Sequence, residues 1–218
     1  MKKCFMIASV AIAVILPASG ATVNWAAAQD NGFGLASGTD LAAGSLIRIG
    51  TFTNISTATI LANKSDLSFL DQYFVEFANA SIGDNVLGTP AHFATADSAN
   101  AEALGIDGDL IFFWAFDAST LAGASQHGIF SLTNSAAWIF PGETPPNTTT
   151  IDITDLTSLD SLSLLSGAAI LAGGFGVGTS DASGAPLFNL ELVPEPSAYA
   201  LLVTGLILVG ALRFQRRK

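Results

Sequence analysis

The chain has 218 residues, a net charge of −10 and a single cysteine, and half of its residues are hydrophobic. Six of its eight basic residues lie at the two ends, so residues 22–192 hold two basic and seventeen acidic residues, a net charge of −15. This charge excludes nucleic-acid binding, which needs basic residues to displace phosphate counterions, and it disfavours contact with anionic membrane surfaces. Thirteen phenylalanines and three tryptophans in the same region exclude a disordered acidic segment.

The first 21 residues have the three parts of a secretory signal peptide. The chain starts with the basic MKK, residues 4–16 are apolar, and residues 17–21 supply a helix break and small residues. We predict cleavage by signal peptidase after Ala21, with Gly20 as the alternative. Cys4 leaves with this segment, so the exported protein has no disulfide, no thiolate zinc site and no cysteine nucleophile.

Residues 22–192 are long enough for one exported domain with a full core. Its predicted elements are, in chain order, a strand over Leu46–Phe52, a strand over Thr57–Leu61, a helix over Asp66–Gln72, a strand through Phe77, a loop over most of Gly83–Gly108, a strand over Leu110–Phe116, paired strands over Gly128–Leu132 and Ala136–Phe140, a short helix that opens near Thr154 or Asp155, and a final strand over Leu187–Val193.

The run Leu110–Phe116 is the most apolar of these segments. Its aromatic content and its length predict a central strand that is buried on both faces. Together with the many short strands, the abundant Gly, Ser and Thr and only two weak helical patterns, it predicts a mainly β fold. We expect a single β-sandwich-like ectodomain with one or two short helices, followed by a single C-terminal transmembrane helix.

Few residues suggest catalysis. His92 and His127 lie in unrelated segments, and we interpret each as a surface or loop histidine rather than as a ligand or a base. A Ser-His-Asp triad stays open because serines and aspartates are plentiful, although no Gly-x-Ser-x-Gly motif is present. No residue set argues for an enzyme, so we predict a non-catalytic protein.

Two further sets of residues have a chemical interpretation. Asp107 and Asp109 flank a glycine, and oxygen ligands two residues apart can begin a calcium loop; the alternative is a plain turn before a strand. Asp152 and Asp155 are the other close carboxylate pair. Trp25 and Trp138 are candidates for stacking on sugar rings if they are exposed. Calcium is the one cofactor that the sequence suggests.

The last 26 residues consist of three consecutive parts: Val193-Pro194-Glu195-Pro196, an uncharged run over residues 197–212, and a tip with four basic residues, Arg213, Arg216, Arg217 and Lys218. The prolines keep the first part extended. An apolar run closed by arginines is typical of a stop-transfer segment with its positive end in the cytoplasm.

This order of parts resembles the PEP-CTERM sorting signal of Gram-negative bacteria. The resemblance implies recognition by exosortase, a membrane protease-transpeptidase, and association with exopolysaccharide outside the cell. We therefore predict a transient membrane anchor over residues 197–212, cleavage near Pro194-Glu195-Pro196, and delivery to the cell surface or the extracellular matrix. A permanent single-pass anchor is the alternative.

Three classes of function remain for the exported domain. The first is a non-catalytic protein of the cell envelope or extracellular matrix, processed by exosortase and associated with exopolysaccharide. The second is a carbohydrate-binding β-sandwich that uses Trp25 and Trp138. The third is a secreted hydrolase. Exposure of the two tryptophans in a shared groove would favour the second class, and a carboxylate pair facing a cleft would favour the third.

Overall fold

The structure is a computed structural model that describes residues 20–28, 30–142, 147–158 and 163–194. Within these residues the chain forms twelve strands and three short α-helices: β1 (Ala21–Ala27), β2 (Phe33–Gly34), β3 (Leu46–Phe52), α1 (Thr57–Ala62), α2 (Leu67–Asp71), β4 (Phe74–Ser81), β5 (Phe93–Ala99), α3 (Ala101–Leu104), β6 (Phe112–Phe116), β7 (Gln126–Leu132), β8 (Thr148–Asp152), β9 (Ala168–Ala172), β10 (Gly174–Thr179), β11 (Pro186–Asn189) and β12 (Glu191–Leu192). The predicted mainly β fold is confirmed, but the described residues form three short α-helices where one or two were predicted.

The strands form three sheets. The largest has six strands, with the order β12-β7-β6-β3-β4 and with β9 paired to β7 as well. The two smaller sheets have the orders β5-β1-β8 and β10-β11-β2. One face of the six-stranded sheet packs against the strands of the smaller sheets, while residues of α1 and α2 pack with residues of its other face.

Strand β6 lies in the interior of the six-stranded sheet, between β3 and β7, and all five of its residues are buried. Its side chains alternate between two clusters. Phe113 and Ala115 belong to the first cluster, which is the core shared with the smaller sheets. Phe112, Trp114 and Phe116 belong to the second cluster, which includes residues of α1 and α2. The prediction of a central strand buried on both faces over Leu110–Phe116 is therefore confirmed, although the strand begins at Phe112.

Phe113 is the centre of a group of aromatic rings in the first cluster. Its ring lies 5.3 to 6.3 Å, centroid to centroid, from four other buried rings: Trp138, Trp25, Phe33 and Phe93. These four rings come from both small sheets and from the turn at Ala136–Trp138, so one side chain connects segments that are far apart in the sequence.

Arg48 lies on the other face of the same sheet, next to the second cluster. Its guanidinium carbon is 4.8 Å from the ring centre of Phe74 and 5.2 Å from that of Trp114. The same group pairs with Asp71, at 2.6 Å, and with Glu76. The Arg48 side chain is only 12% exposed, so its charge has lost most of its contact with water. Two carboxylates and two aromatic ring faces take the place of that water.

The strand predicted over Thr57–Leu61 is wrong, because these residues form helix α1. Ser56 caps this helix by accepting a hydrogen bond from the Thr59 amide at 3.1 Å. Ile60, on the buried side of the helix, packs into the second cluster. The cap and this packing outweigh the weak strand preference of the β-branched residues. The predicted strand over Leu46–Phe52 matches β3, and the predicted helix and strand that follow match α2 and β4.

The predictions for Gly83–Gly108 and Ala136–Phe140 also need correction. The first range contains β5 and α3, and β5 is not evident from the sequence because only Phe93 of its seven residues is fully buried. The second contains a 3-10 turn over Ala136–Trp138 instead of a strand, and β7 pairs with β6 and β9. β5 pairs with β1, a strand that is distant from it in the sequence.

The helix predicted to open near Thr154 or Asp155 is a single 3-10 turn over Ile153–Leu156. It begins as expected, at a capping box in which Asp152 and Asp155 each accept a backbone N–H. It ends at Thr157, which has extended dihedral angles and forms a bridge with Leu164. The predicted α-helix is therefore wrong for the described residues, and residues 159–162 lie outside them.

The final strand predicted over Leu187–Val193 is split between two sheets. β11 pairs with β10 and β2, whereas β12 pairs with β7. Leu190, between them, is 2% exposed, and Leu192 is 67% exposed, so the predicted apolar face of this strand ends at Leu190. Only Glu191 and Leu192 of the predicted strand join the six-stranded sheet.

Among the described residues, none of the helices has both the length and the apolar character needed to cross a bilayer. The predicted membrane span over residues 197–212 lies outside the part of the chain that the structure describes.

Truncation of Phe113 tests the importance of the aromatic core. We expect Phe113→Ala to lower the free energy of unfolding by about 3–5 kcal/mol, because it removes a ring at the centre of the buried cluster. Leu104→Ala, at a position that is 41% exposed, is the matched control and should change stability by less than about 0.5 kcal/mol. Chemical denaturation of the purified protein measures both, and equal effects of the two variants would contradict a central role for the Phe113 ring.

Candidate functional site

The junction between the folded domain and the predicted sorting signal is the part of the structure closest to a functional assignment. Glu191 and Leu192 pair with His127 and Gln126 of β7, and the Val193 amide donates to the carbonyl of Ser125 at 2.8 Å. The described chain ends one residue later. The fold therefore continues, without a spacer, into the first residues of the predicted motif.

The structure describes only part of the predicted motif. Val193 and Pro194 are described, and both line an open cavity of about 420 Å³ whose other walls are residues 65–68, Leu121, Ala122 and Ala124. Glu195, Pro196 and the four basic residues Arg213, Arg216, Arg217 and Lys218 lie outside the described residues.

Glu191 is the charged residue that holds this junction. Its carboxylate accepts a hydrogen bond from Lys64 Nζ at 2.6 Å, and its other oxygen lies 3.9 Å from His127 Nε2. Lys64 comes from the loop between α1 and α2, so this ion pair connects the end of the domain to a segment 127 positions earlier. Both basic residues of the acidic domain, Arg48 and Lys64, thus form ion pairs.

His127 is fully buried beside this pair, so its interpretation as a surface or loop histidine is wrong. Its Nδ1 accepts a hydrogen bond from the Trp114 indole at 3.0 Å, which places the proton of the neutral ring on Nε2. Nε2 has no hydrogen-bond partner among the described residues. Burial lowers the pKa of His127, and the charge of Lys64 lowers it further, while the Lys64 backbone and the Glu191 carboxylate act in the opposite direction.

His92, interpreted in the same way, is also buried and has two partners. Nδ1 donates to the carbonyl of Ala27 at 2.9 Å, and Nε2 accepts from the Ser180 hydroxyl at 3.0 Å. This is the orientation of a serine and its general base, with a carbonyl where a triad has a carboxylate. Ser180 Oγ also accepts the Ala182 amide at 3.2 Å, and Ser180 is 1% exposed. The pair therefore links the end of β1 to the turn after β10, and the serine oxygen is not presented to a substrate.

Both tryptophans proposed to bind sugars lie in the core. Trp25 is 1% exposed and Trp138 is 0% exposed. Their indole nitrogens donate to Asp97, at 2.7 Å, and to Asp155, at 3.1 Å, so their polar edges are satisfied inside the protein. Neither ring has a free face on which a sugar could stack, so the exposure that sugar stacking by Trp25 and Trp138 requires is not met.

The two carboxylate pairs lie in turns. Asp107 and Asp109 flank Gly108, whose positive φ of 78° makes the turn before β6, and the Asp109 carbonyl accepts the Phe140 amide. The described residues contain no group of three metal-ligating side chains, and calcium binding by this pair stays a prediction. Asp152 and Asp155 serve the capping box of the 3-10 turn, and burial raises the pKa of Asp152.

Ala21, the predicted end of the signal peptide, is the first residue of β1. Its side chain is buried, and it pairs with Ala99 of β5. Cleavage after Ala21 would remove this side chain from the core, whereas cleavage after Gly20 would keep it. The position of cleavage stays a prediction.

The sequence alone does not identify the junction residues. Lys64 is one of only two basic residues in a strongly acidic domain, which indicates an ion pair but leaves seventeen candidate partners. His127 stands out as one of two histidines, but its burial against Trp114 depends on the pairing of β6 with β7.

No protein-family model matches this chain, and neither a curated protein nor a solved structure matches it. Its function is therefore inferred from the residues themselves.

The buried His127 should make stability depend on pH. Its ordinary pKa is 6.5 and its folded pKa is lower, so below about pH 6.5 the unfolded chain binds a proton that the folded chain does not. We expect the free energy of unfolding to fall as pH decreases from 6.5, by up to about 1.4 kcal/mol per pH unit. His127→Gln, which keeps an acceptor for the Trp114 indole, should remove this component.

The informative quantity is the difference between the two proteins, because the raised pKa values of Asp40 and Asp152 affect both equally. Urea denaturation at several pH values between about 5 and 7.5, on either side of the ordinary histidine pKa, measures it. Parallel pH profiles for wild type and His127→Gln would show that His127 is not the titrating group.

Proposed function

We propose that this chain is an exported, non-catalytic protein of the bacterial cell envelope or extracellular matrix, processed at its C-terminus by exosortase. One observation carries the proposal: the chain ends with Val193-Pro194-Glu195-Pro196, an uncharged run of sixteen residues and four basic residues among the last six. A plain membrane anchor needs only the last two of these parts. The stiff, extended first part suits a protease, which cleaves extended backbone.

Two features of the exported domain agree with this proposal. Its net charge of −15 favours solubility outside the cell. Its packed sheets, with Trp25 and Phe113 between them, support a β-sandwich-like ectodomain that needs no disulfide. In this proposal the signal peptide directs export, the C-terminal segment anchors the protein transiently, and the processed domain associates with exopolysaccharide.

The geometry of the junction is consistent with a processing signal. Val193 is hydrogen-bonded to the domain, and residues 194–196 are all that separate it from the predicted membrane span. A domain held this close to the bilayer must be cut at the junction to leave it. Neither a sugar-binding groove nor a hydrolase site has a comparable observation, since Trp25, Trp138 and Ser180 are buried.

Substitutions in the motif separate recognition from anchoring. If exosortase reads the motif, Glu195→Ala and Pro196→Ala should each accumulate a longer precursor in the inner membrane. Glu102→Ala, at an exposed glutamate of α3, is the matched control and should be processed as wild type. Mass spectrometry of the C-terminus in cells with and without exosortase measures the outcome, and intact residues 193–218 on wild-type envelope protein would refute the proposal.

Removal of the basic tip should produce a different defect. Substituting Arg213, Arg216, Arg217 and Lys218 by Ser removes charges that contribute roughly 1 kcal/mol each near an anionic surface. We expect weaker retention, so that precursor is mislocalised rather than trapped in the membrane. Fractionation of cells distinguishes the two defects, and identical fractionation of both classes of variant would contradict separate roles for the motif and the tip.

A further inference from the structure

We propose that residues Glu191–Val193, which we call the strap, must detach from β7 before the C-terminal signal is cleaved. This inference rests on the proposed function, because it concerns how the protease reaches the same junction. It assigns a gating role to Lys64 and Glu191, which the sorting motif itself does not include.

The attached strap leaves little free chain at the junction. With the strap in place, Val193 is the last residue of the described chain whose amide is hydrogen-bonded to the domain, and residues 194–196 are all that precede the predicted membrane helix. Three residues span at most about 10 Å when fully extended. A protease active site would have to bind an extended backbone inside this gap, between a folded domain and the bilayer.

Detachment of the strap doubles this reach. Releasing Glu191, Leu192 and Val193 leaves six free residues before the predicted membrane helix, or about 20 Å of extended chain. The new boundary would be Leu190, which is 2% exposed and whose amide donates to the Gly34 carbonyl at 2.8 Å. A buried side chain in the core thus ends the detachable segment.

The strap is also weakly attached to the domain. Strand β12 has two residues, and Leu192 is 67% exposed. Val193 is only partly buried against the second cluster. β9 pairs with β7 over Ile129–Leu132, so that pairing does not involve the two residues that the strap covers. The sheet can therefore lose the strap and keep its other strands.

One ion pair contributes to the attachment of the strap. Lys64 Nζ contacts Glu191 at 2.6 Å, and the two side chains are 43% and 21% exposed. A partly exposed pair of this kind is weakened by water and screened by salt. It suits a contact that must open, whereas a buried apolar anchor at the same place would resist opening.

A reversible cross-link tests whether detachment is required. Gln126 and Leu192 are direct partners in the antiparallel pair of β7 and β12. The Cα separation of such partners, about 4.5–5.5 Å, lies within the range of a disulfide. The chain's one cysteine, Cys4, lies in the predicted signal peptide. Gln126→Cys with Leu192→Cys, in the full-length chain, should therefore form a single lock after export.

We expect the oxidised double variant to accumulate as precursor in cells with exosortase, and reductant to restore processing. The single variants Gln126→Cys and Leu192→Cys control for loss of the hydrogen bond from the Ala36 amide to Gln126 and for loss of the leucine. The ratio of processed chain to precursor, measured by mass spectrometry after a pulse of synthesis, is the readout. Processing of the cross-linked chain at the rate of the single variants would overturn the inference.

A charge exchange provides an independent test. Lys64→Glu and Glu191→Lys should each speed processing about two- to fivefold, the range expected for loss of a partly exposed ion pair that keeps the strap attached to β7. The double variant, which restores opposite charges, should return towards the wild-type rate, and Glu102→Lys is the matched control. Rates that do not differ between the single and double variants would contradict a gating role for the pair.

The outcomes for the two proposals are distinct. If wild-type chain keeps residues 193–218 in the presence of exosortase, the proposed function fails and the gating role fails with it. If wild type is processed and the cross-linked chain is processed equally fast, only the gating role fails.

Discussion

Strand β6 is buried on both faces, and this burial determines which layers must surround it. Phe113 and Trp114 are neighbours in the sequence, yet they point into different clusters, because successive side chains of a strand point to opposite faces. One face must then be covered by the two small sheets and the other by α1 and α2. A strand that is apolar on both sides cannot be left at a solvent-exposed edge, so it requires layers on both sides.

Trp114 of the same strand positions two side chains, Arg48 and His127. Trp114 provides a ring for Arg48 and an indole N–H for His127, so both polar groups pack against one buried side chain. Asp71 and Glu76 pair with the Arg48 guanidinium. Burial lowers the pKa of His127 because it disfavours the charged ring. In a domain with seventeen acidic residues, the two positive charges are thus used to hold segments together.

The end of the domain is a compromise between attachment and release. Leu190 is anchored in the core, while the residues after it are held by a two-residue strand, the hydrogen bond from Val193 to Ser125 and a partly exposed ion pair. Low local stability is typical of segments that move in function. For a chain whose proposed fate is cleavage at this point, weak attachment outside a stable core allows processing without unfolding the domain.

Features that depend on local composition and order can be interpreted from the sequence. Three of them are contiguous in the chain and need no partner: the apolar aromatic run of β6, the segregation of charge to the two ends and the three-part C-terminus. Three others appear only when the chain folds: the burial of Trp25 and Trp138, the division of the last strand at Leu190 and the pairing of Lys64 with Glu191. These features depend on which segments meet, and residues 127 positions apart leave no periodic pattern that predicts their contact.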